Sequence, residues 1–345
     1  MLAVLRCDAG PDVGHGHLGR CLALAEAAGE RGVRCRFVGR FDAAAHTRIA
    51  RAGAERVEAS AATGSAEDAA ATAACARGAA LLVVDGYRFD ASWLDRVAPA
   101  RTGVPLLVVD DFARLPRHPD DAVVVNFGVR AAALAYAGER VTVLRGPRWF
   151  LARRALRATR RGRRPPAEPP RRVLLSIGGY DPHGLAARVA RALAQHADLE
   201  VRIVCGTPPA GAEALAAAAP GRVRLEVGLD GLAESLAWAD ACVTGGGLTK
   251  YEAAYAGVPV AALAQTEDQA LENAACAAHG LCVDLGFGPA VDDGALGRRL
   301  AGFLADPARR AALRAASRAS FAADSTGAVL DAVLGRSRAA AGVGS

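Results

Sequence analysis

What most constrains the fold of this chain is a rhythm: short apolar runs alternating with alanine-rich segments, in two series parted by an arginine- and proline-rich stretch. Strand-like runs stand at 2–5, 33–38, 80–84, 105–109 and 122–126, and again at 173–177, 200–204, 223–227, 241–244 and 259–263. The segments between them read as helices. Regular alternation of this kind implies βαβ units, so the chain reads as α/β with two Rossmann-like parallel-sheet domains. Two such sheets in tandem leave a cleft between the domains.

A length of 345 residues exceeds one ordinary core and suits two domains. The boundary shows in the charge. Residues 153–172 hold nine arginines and one acid, Glu168, so this stretch carries +8 of a chain whose net charge is +6, and everything else sums to −2. Pro165, Pro166, Pro169 and Pro170 disfavour helix there. The expected organisation is a first domain over 1–152, a linker with a solvated basic surface over 153–172 and a second domain over 173–324. A terminal helix within 325–345 can return to the first domain before a flexible tail. A nucleic-acid patch would want interleaved aromatics or a recognition motif, and the stretch has neither, so no nucleic-acid partner is expected. The eight cysteines are scattered without a Cys-x-x-Cys pair, and no signal pattern or bilayer-length apolar stretch occurs. These features predict a cytoplasmic protein without stable membrane insertion; oligomeric state is left open.

Between the first strand-like run and the first helix lies Val13-Gly14-His15-Gly16-His17-Leu18-Gly19-Arg20. Ligands of open parallel sheets bind at strand carboxyl ends, and helix N-termini there favour anions. Imidazole titrates near neutral pH, so His15 and His17 are candidates for acid/base work, unless both simply bond to backbone. His17 ranks first because it stands nearer the helix.

Other strand ends carry polar residues too: Asp85-Gly86-Tyr87, Asp110-Asp111 and Asn126, then Gly178-Gly179-Tyr180-Asp181 and Gly245-Gly246-Gly247-Leu248-Thr249-Lys250. Any one such acid can be a turn or helix cap. The last loop opens a helix with Glu252 in its first turns. Its glycines would let a diphosphate approach the backbone, the helix N-terminus would supply N–H groups, and Glu252 could accept from ribose hydroxyls. Neither a Walker A loop nor a dinucleotide fingerprint is present. Lys250 is the sole lysine among 42 basic residues, which points either to a specific contact or to a surface position that escaped the bias. No Asp-x-Asp triplet occurs, so no metal or other cofactor is expected, and the helix dipole and amides would stabilise a leaving diphosphate.

Taken in order, Arg6-x-Asp8, Gly14-x-Gly16-His17-x-x-Arg20, Asp85-x-Tyr87, Asp110-Asp111, Asn126, Gly178-Gly179-x-Asp181 and Gly245-Gly246-x-x-Thr249-x-x-Glu252 resemble one group over roughly residues 2–285. It is the pseudaminic-acid pathway UDP-sugar hydrolase with its spore-coat polysaccharide relatives, which belong with GT-B glycosyltransferases. The resemblance implies a cleft enzyme that binds a UDP-sugar mainly through the second domain and breaks the anomeric bond with inversion. His17 would activate the nucleophile, Tyr87 would line the sugar site, and Gly246, Thr249 and Glu252 would hold UDP.

The sequence departs from the hydrolase where an Asn-Gln pair is expected: Asp268-Gln269 stands there, and Leu248 replaces a common serine. An aspartate suits a polar or amine-bearing acceptor better than water. The reading is therefore an inverting, metal-independent glycosyltransferase that uses a UDP-sugar and a small acceptor. His17 serves as base, aided by Asp8 or Asp268, and Tyr87 is counted with them among the catalytic candidates. Gly14, Gly16, Arg20, Asn126, Gly178, Gly179, Asp181, Gly246, Gly247, Leu248, Thr249, Lys250, Glu252 and Gln269 are the binding candidates. A nucleobase or amine-bearing metabolite is one acceptor guess, and a UDP-hexuronate, its carboxylate paired by Lys250 or an arginine, one donor guess. The alternative is hydrolysis of a UDP-linked diacetamido-trideoxy sugar.

Overall fold

In the computed structural model, which describes residues 1–98, 103–179 and 181–341, the chain divides into two compact units, Met1–Arg154 with Asp324–Ser345, and Ala155–Ala323. In the first unit the order is β1 (Leu2–Arg6), α1 (Gly16–Gly29), β2 (Arg34–Gly39), α2 (Ala43–Arg51), β3 (Glu55–Glu58), α3 (Ala66–Ala76), β4 (Leu81–Asp85), α4 (Ala91–Val97), β5 (Leu106–Val109), β6 (Val123–Asn126) and β7 (Thr142–Arg145). They form a seven-stranded sheet in the order β3-β2-β1-β4-β5-β6-β7, parallel throughout. Val4, Leu82, Val84, Leu106 and Val108 pack with Phe89 and Trp93 into its core.

The second unit runs α5 (Arg154–Gly162), β8 (Arg172–Ser176), α6 (Leu185–Ala194), β9 (Glu200–Cys205), α7 (Ala212–Ala218), β10 (Val223–Val227), α8 (Ala233–Trp238), β11 (Ala241–Gly245), α9 (Leu248–Tyr255), β12 (Val260–Ala264), α10 (Glu267–Ala278), β13 (Val283–Phe287), α11 (Asp293–Ala305) and α12 (Pro307–Ser320). Its six strands, again all parallel, are ordered β10-β9-β8-β11-β12-β13. Val173, Leu175, Val243 and Leu263 carry its core with Leu185, Leu296 and Phe303. The chain ends in α13 (Ser325–Ala341), which packs on α1 in the first unit. Its start is pinned there: Ser325 Oγ donates to the Phe150 carbonyl at 2.5 Å and Thr326 Oγ1 accepts from the Ala152 amide at 2.8 Å. Residues 342–345, where a tail was expected, lie outside the described residues. No helix among the described residues is long and apolar enough to cross a membrane.

Side chains of the preceding residue cap six of the helices. Asp42, Ser65 and Asp90 cap α2, α3 and α4, and Thr266, Asp292 and Asp306 cap α10, α11 and α12. By contrast α1 begins on His15 and α9 on Gly247, neither with a side-chain cap, so their first amides are left for another partner.

Three strands were not read from the sequence: β3, β7 and β13. All lie at sheet edges, where half-exposed stretches such as Glu55-Arg56-Val57-Glu58 show no apolar run. The arginine-rich stretch also differs from an extended, solvated linker. Its first part is the helix α5, and several of its guanidiniums are engaged by carbonyls. Arg160 donates to the carbonyls of Tyr255 and Phe321 at 2.8 and 2.9 Å, and Arg163 to those of Leu236 and Ala239 at 2.5 Å each. The prolines that disfavour helix come only after α5 has ended.

Candidate active site

In both sheets the strand order reverses direction between the first strand and its later neighbour: β1 beside β4, and β8 beside β11. The carboxyl ends of such a pair splay their loops apart and form the crevice in which open α/β sheets bind ligands. The two glycine loops singled out in the sequence follow β1 and β11.

After β1 the backbone turns tightly, the Gly14 amide donating to the Gly10 carbonyl at 2.8 Å. Gly14 has φ +69°, a left-handed conformation that glycine adopts without a Cβ penalty. At Gly16 a Cβ would meet nothing within 4 Å, so the space before α1 is open. His17 and Arg20 follow, three residues apart on one face of α1. Both reach Asp85, which ends β4 and is fully buried.

The His17 Nδ1 lies 2.7 Å from Asp85 Oδ1. Arg20 grips the same carboxylate, Nη2 to Oδ1 at 2.6 Å and Nε to Oδ2 at 2.9 Å, and extends Nη1 to Asp111 Oδ2 at 2.6 Å. Arg20 Nη2 also comes within 2.8 Å of His17 Nδ1 because both converge on one oxygen. A guanidinium only donates and a carboxylate only accepts, so Nδ1 faces one of each; with its hydrogen on Nδ1 the imidazole gives it to Asp85, the shorter of the two contacts at 2.7 against 2.8 Å. Nε2 then keeps its lone pair, and it bonds no described residue. Burial by itself would raise the Asp85 pKa, but the charges and hydrogen bonds of Arg20 and His17 outweigh it and hold the carboxyl below its ordinary value. The same carboxylates keep the buried Arg20 firmly charged against the cost of desolvation.

Tyr87 closes the group. Its ring stands edge-on to the imidazole, centroids 4.6 Å apart at 79°, and its hydroxyl donates to Asp111 Oδ2 at 2.7 Å. The residue stays half exposed, as does Phe112 in part, and the Arg114 guanidinium lies over both rings at 5.3 and 4.6 Å. An oriented imidazole and the partly exposed rings of Tyr87 and Phe112 form one surface. Such a surface can take a proton from a bound nucleophile.

Other candidates stand elsewhere. His15 bonds Asp42 Oδ2 at 2.9 Å, tying the turn to the start of α2. Asp8 is engaged by Arg6 Nη1 at 2.6 Å, the Arg40 amide at 2.9 Å and Thr63 at 2.8 Å; burial opposes its ionisation, yet Arg6 and these bonds keep its pKa low. Asn126 donates to the Asp111 carbonyl at 2.8 Å and accepts from the Gly128 amide at 2.8 Å, which fixes the loop that bears Asp111. The sequence reading quoted Asp85 and Asp111 in the motif but gave neither a role. The available signal was an aspartate closing an all-apolar strand, together with His17 and Arg20 at helical spacing.

In the second unit the glycines divide by cause. A Cβ on Gly245 would fall 2.2 Å from the Ile177 carbonyl oxygen, and one on Gly246 would fall 2.4 Å from Gln269 Cβ. Those two are required by the protein's own packing. A Cβ on Gly179 or Gly247 would meet nothing within 4 Å, so the surfaces at the loop after β8 and before α9 stay open. Gly178 needs its freedom for φ +140°. Asp181 turns to the α6 start and accepts from the Leu185 and Ala186 amides at 2.9 and 2.8 Å. Tyr180 between them lies outside the described residues.

Lys250 folds back under the loop, buried, and donates to the Gly246 carbonyl. Gln269 supports the loop from α10: its Oε1 accepts from the Gln265 amide at 2.9 Å. Leu248, Thr249 and Glu252 are half-buried along α9, whereas Asp268 is exposed on the first turn of α10. Gln265 was not singled out in the sequence; its Nε2 holds the Ile177 carbonyl at 3.3 Å while its Oε1 is buried without a partner. Among the described residues no group of three or more His, Cys, Asp or Glu side chains is placed to hold a metal ion.

No family model matches the chain. It is 27% identical over 178 residues to the spore coat polysaccharide biosynthesis protein SpsG of Bacillus subtilis, a match that spans 50% of this chain and about half, 52%, of that protein. Solved structures resemble it along nearly its whole length. LpCGTa in complex with UDP matches at TM-score 0.68 and 15% identity, covering 98% of this chain and 99% of that one. The glycosyltransferase VinC in complex with dTDP matches at 0.63 and 16%, covering 97% and 100%. MurG of Acinetobacter baumannii matches at 0.60 and 17%, covering 96% and 98%. The fold is that of the GT-B glycosyltransferases, and the resemblance read from the motifs is met by both the fold and the spore-coat relative.

Proposed function

We propose that the chain is an inverting glycosyltransferase that moves a sugar from a UDP-sugar to a small acceptor without a metal ion. The observation that carries this is the buried Asp85–His17 pair at 2.7 Å, which fixes one imidazole nitrogen and frees the other at the mouth of the β1/β4 crevice. His17 Nε2 takes the proton from the acceptor's hydroxyl or amine as that atom bonds to the anomeric carbon. The bond from that carbon to the diphosphate oxygen breaks, and UDP leaves with the electron pair. Arg20, through Asp85 and Asp111, holds the imidazole and Tyr87 in place.

The loop of Gly245 to Glu252 holds UDP. Gly247 and the first amides of α9 face the diphosphate, with the positive end of the helix dipole behind them. Lys250 strengthens this contact from below: the carbonyl it binds belongs to the same peptide group as the Gly247 N–H, so drawing on the oxygen makes that N–H a better donor. Thr249 and Glu252 contact the nucleoside, and Gly178 and Gly179 leave room beside it. The GT-B neighbours bound to UDP and dTDP support a nucleoside diphosphate as the leaving group.

Incubation with a panel of UDP-sugars, with and without nucleobase and amine acceptors, tests the reading. UDP release that waits for an acceptor is expected. Rapid release in water alone would show hydrolysis and overturn transfer.

A further inference from the structure

At the amino ends of β8 and β11 a cavity of about 480 Å³ opens between the end of α5, the residues after it and the end of α8. Arg172 starts β8 and Gly178 follows its other end, so at 3.3 Å per residue the cavity lies about 20 Å along the sheet from the glycine loops. Arg163, Arg164 and Arg172 line it, and Asp240 is the only acid among the lining residues.

Asp240 cannot balance three guanidiniums. It is buried and accepts from the Ala167 and Arg172 amides at 3.0 Å each, the Arg171 amide at 3.2 Å and Arg172 Nη2 at 3.0 Å. Arg172 is therefore its partner. Arg163 has only the Leu236 and Ala239 carbonyls, both at 2.5 Å. Burial pushes its pKa down to about 10; the charge of Asp240 opposes that shift, while the smaller effects of Arg172 and Arg314 add to it. Arg164 is exposed and makes no hydrogen bond or ion pair with any described residue. Apart from Thr159, the rest of the wall is apolar, including Ala158, Pro165, Pro166 and Ala237.

Two guanidiniums that form no ion pair, sharing one acid already held by Arg172, beside a largely apolar wall in a volume typical of small-ligand sites, call for an amphipathic dianion. We propose that this cavity is a second binding site, for a phosphate ester whose phosphate lies at Arg163 and Arg164 and whose organic part rests on Pro165, Pro166 and Ala237. The ester comes either as a soluble metabolite or as the headgroup of an anionic lipid.

Two arms separate those sources: calorimetric titration with glycerol 1-phosphate in saturating UDP, and cosedimentation with phosphatidylglycerol against phosphatidylcholine vesicles. Arg164→Ala is expected to weaken binding about tenfold and Arg164→Glu about a hundredfold, with melting temperature in phosphate-free buffer and UDP-sugar turnover unchanged. Saturable, Arg164-dependent binding of glycerol 1-phosphate supports a soluble ester. Arg164-dependent binding to phosphatidylglycerol vesicles alone supports the headgroup. Binding to neither probe, or equal binding by wild type and Arg164→Glu, overturns the site, whatever UDP itself does.

Discussion

Asp85→Asn separates the orienting role of this carboxylate from mere packing, because the side chain keeps its shape and loses its charge. Asp85 receives three close contacts, from His17 Nδ1 at 2.7 Å and from Arg20 Nη2 and Nε at 2.6 and 2.9 Å. All three are donors in the arrangement deduced above. An amide has one oxygen and one NH₂, so one edge of asparagine must face a donor. Arg20 cannot become an acceptor, but His17 can. Either orientation sets the NH₂ against one Arg20 nitrogen, Nη2 or Nε, so Arg20 must shift; with the NH₂ toward Nδ1 the imidazole hydrogen moves to Nε2 and the base is removed.

General-base catalysis contributes roughly 10²–10⁴ in rate, so kcat is expected to fall about 10³-fold, or about 4 kcal/mol, with little change in donor KM. Stability should fall less than when a buried ion pair loses one member outright, about 3–5 kcal/mol, because Arg20 keeps Asp111 at 2.6 Å. About 2 kcal/mol is expected, which lowers the melting temperature of a unit of this size by about 6 °C. Acceptor-dependent UDP release and calorimetry measure the two effects. The decisive comparison is the double variant: His17→Ala with Asp85→Asn should be no slower than His17→Ala alone, since the aspartate acts through the histidine. Multiplicative losses, or an Asp85→Asn enzyme within threefold of wild type, would refute the reasoning.

Gly246→Ala places a methyl group 2.4 Å from Gln269 Cβ, so UDP affinity measured by calorimetry should fall at least about tenfold, at a stability cost of about 1–3 kcal/mol; unchanged affinity would separate the loop from UDP. Lys250→Met keeps the apolar stem and removes the bond to the Gly246 carbonyl, so UDP binding should weaken about tenfold while sugar selectivity persists; a loss confined to uronate donors would instead place the ammonium on the sugar. Turnover should persist in EDTA, and complete loss restored by a divalent ion would contradict metal independence. Asp8, Asp85 and Asp110 all have carboxyls held below their ordinary values, by Arg6, by Arg20 with His17, and by His118 with backbone amides, against the opposing effect of burial. The unfolded chain binds protons first as pH falls. Their contribution is complete above about pH 5 and lost as pH drops through the depressed values, so the melting temperature should fall steeply below about pH 4, and less steeply in Asp85→Asn.

The strands legible in the sequence are those flanked on both sides. Leu81 to Asp85 and Val260 to Ala264 read as continuous apolar runs because helices cover both faces of a parallel sheet. Edge strands escape that rule. Thr142 to Arg145 at one edge of the first sheet is only partly buried, and Val283 to Phe287 at one edge of the second mixes Asp284 and Gly286 into the run. In the site, the glycine turns and His17 were legible because their chemistry is local. Asp85 and Asp111 were visible as residues without visible roles, since the partnership of His17 with a residue 68 positions later is made by the β1–β4 pairing alone. Asp8, Asn126 and Asp181 show the converse: polar residues at strand ends, yet engaged in holding loops and helix starts.

Lys250 sharpens that distinction between a residue near a ligand and one that shapes its contact. A chain that otherwise uses arginine for every basic position keeps a lysine at one buried site, where the acceptor is a single carbonyl one helical turn back. An arginine fork would bring five N–H groups to that carbonyl and leave most of them without partners in a dry environment, a penalty of about 1–3 kcal/mol for each. The compact ammonium ends in one place and reaches the Gly246 oxygen without crowding the open face at Gly247, where a Cβ would meet nothing. The lysine at this position is then accounted for by the geometry of the loop. Direct contact with phosphate is not needed to explain it, because the charge would act on a diphosphate bound as proposed through the peptide group it holds.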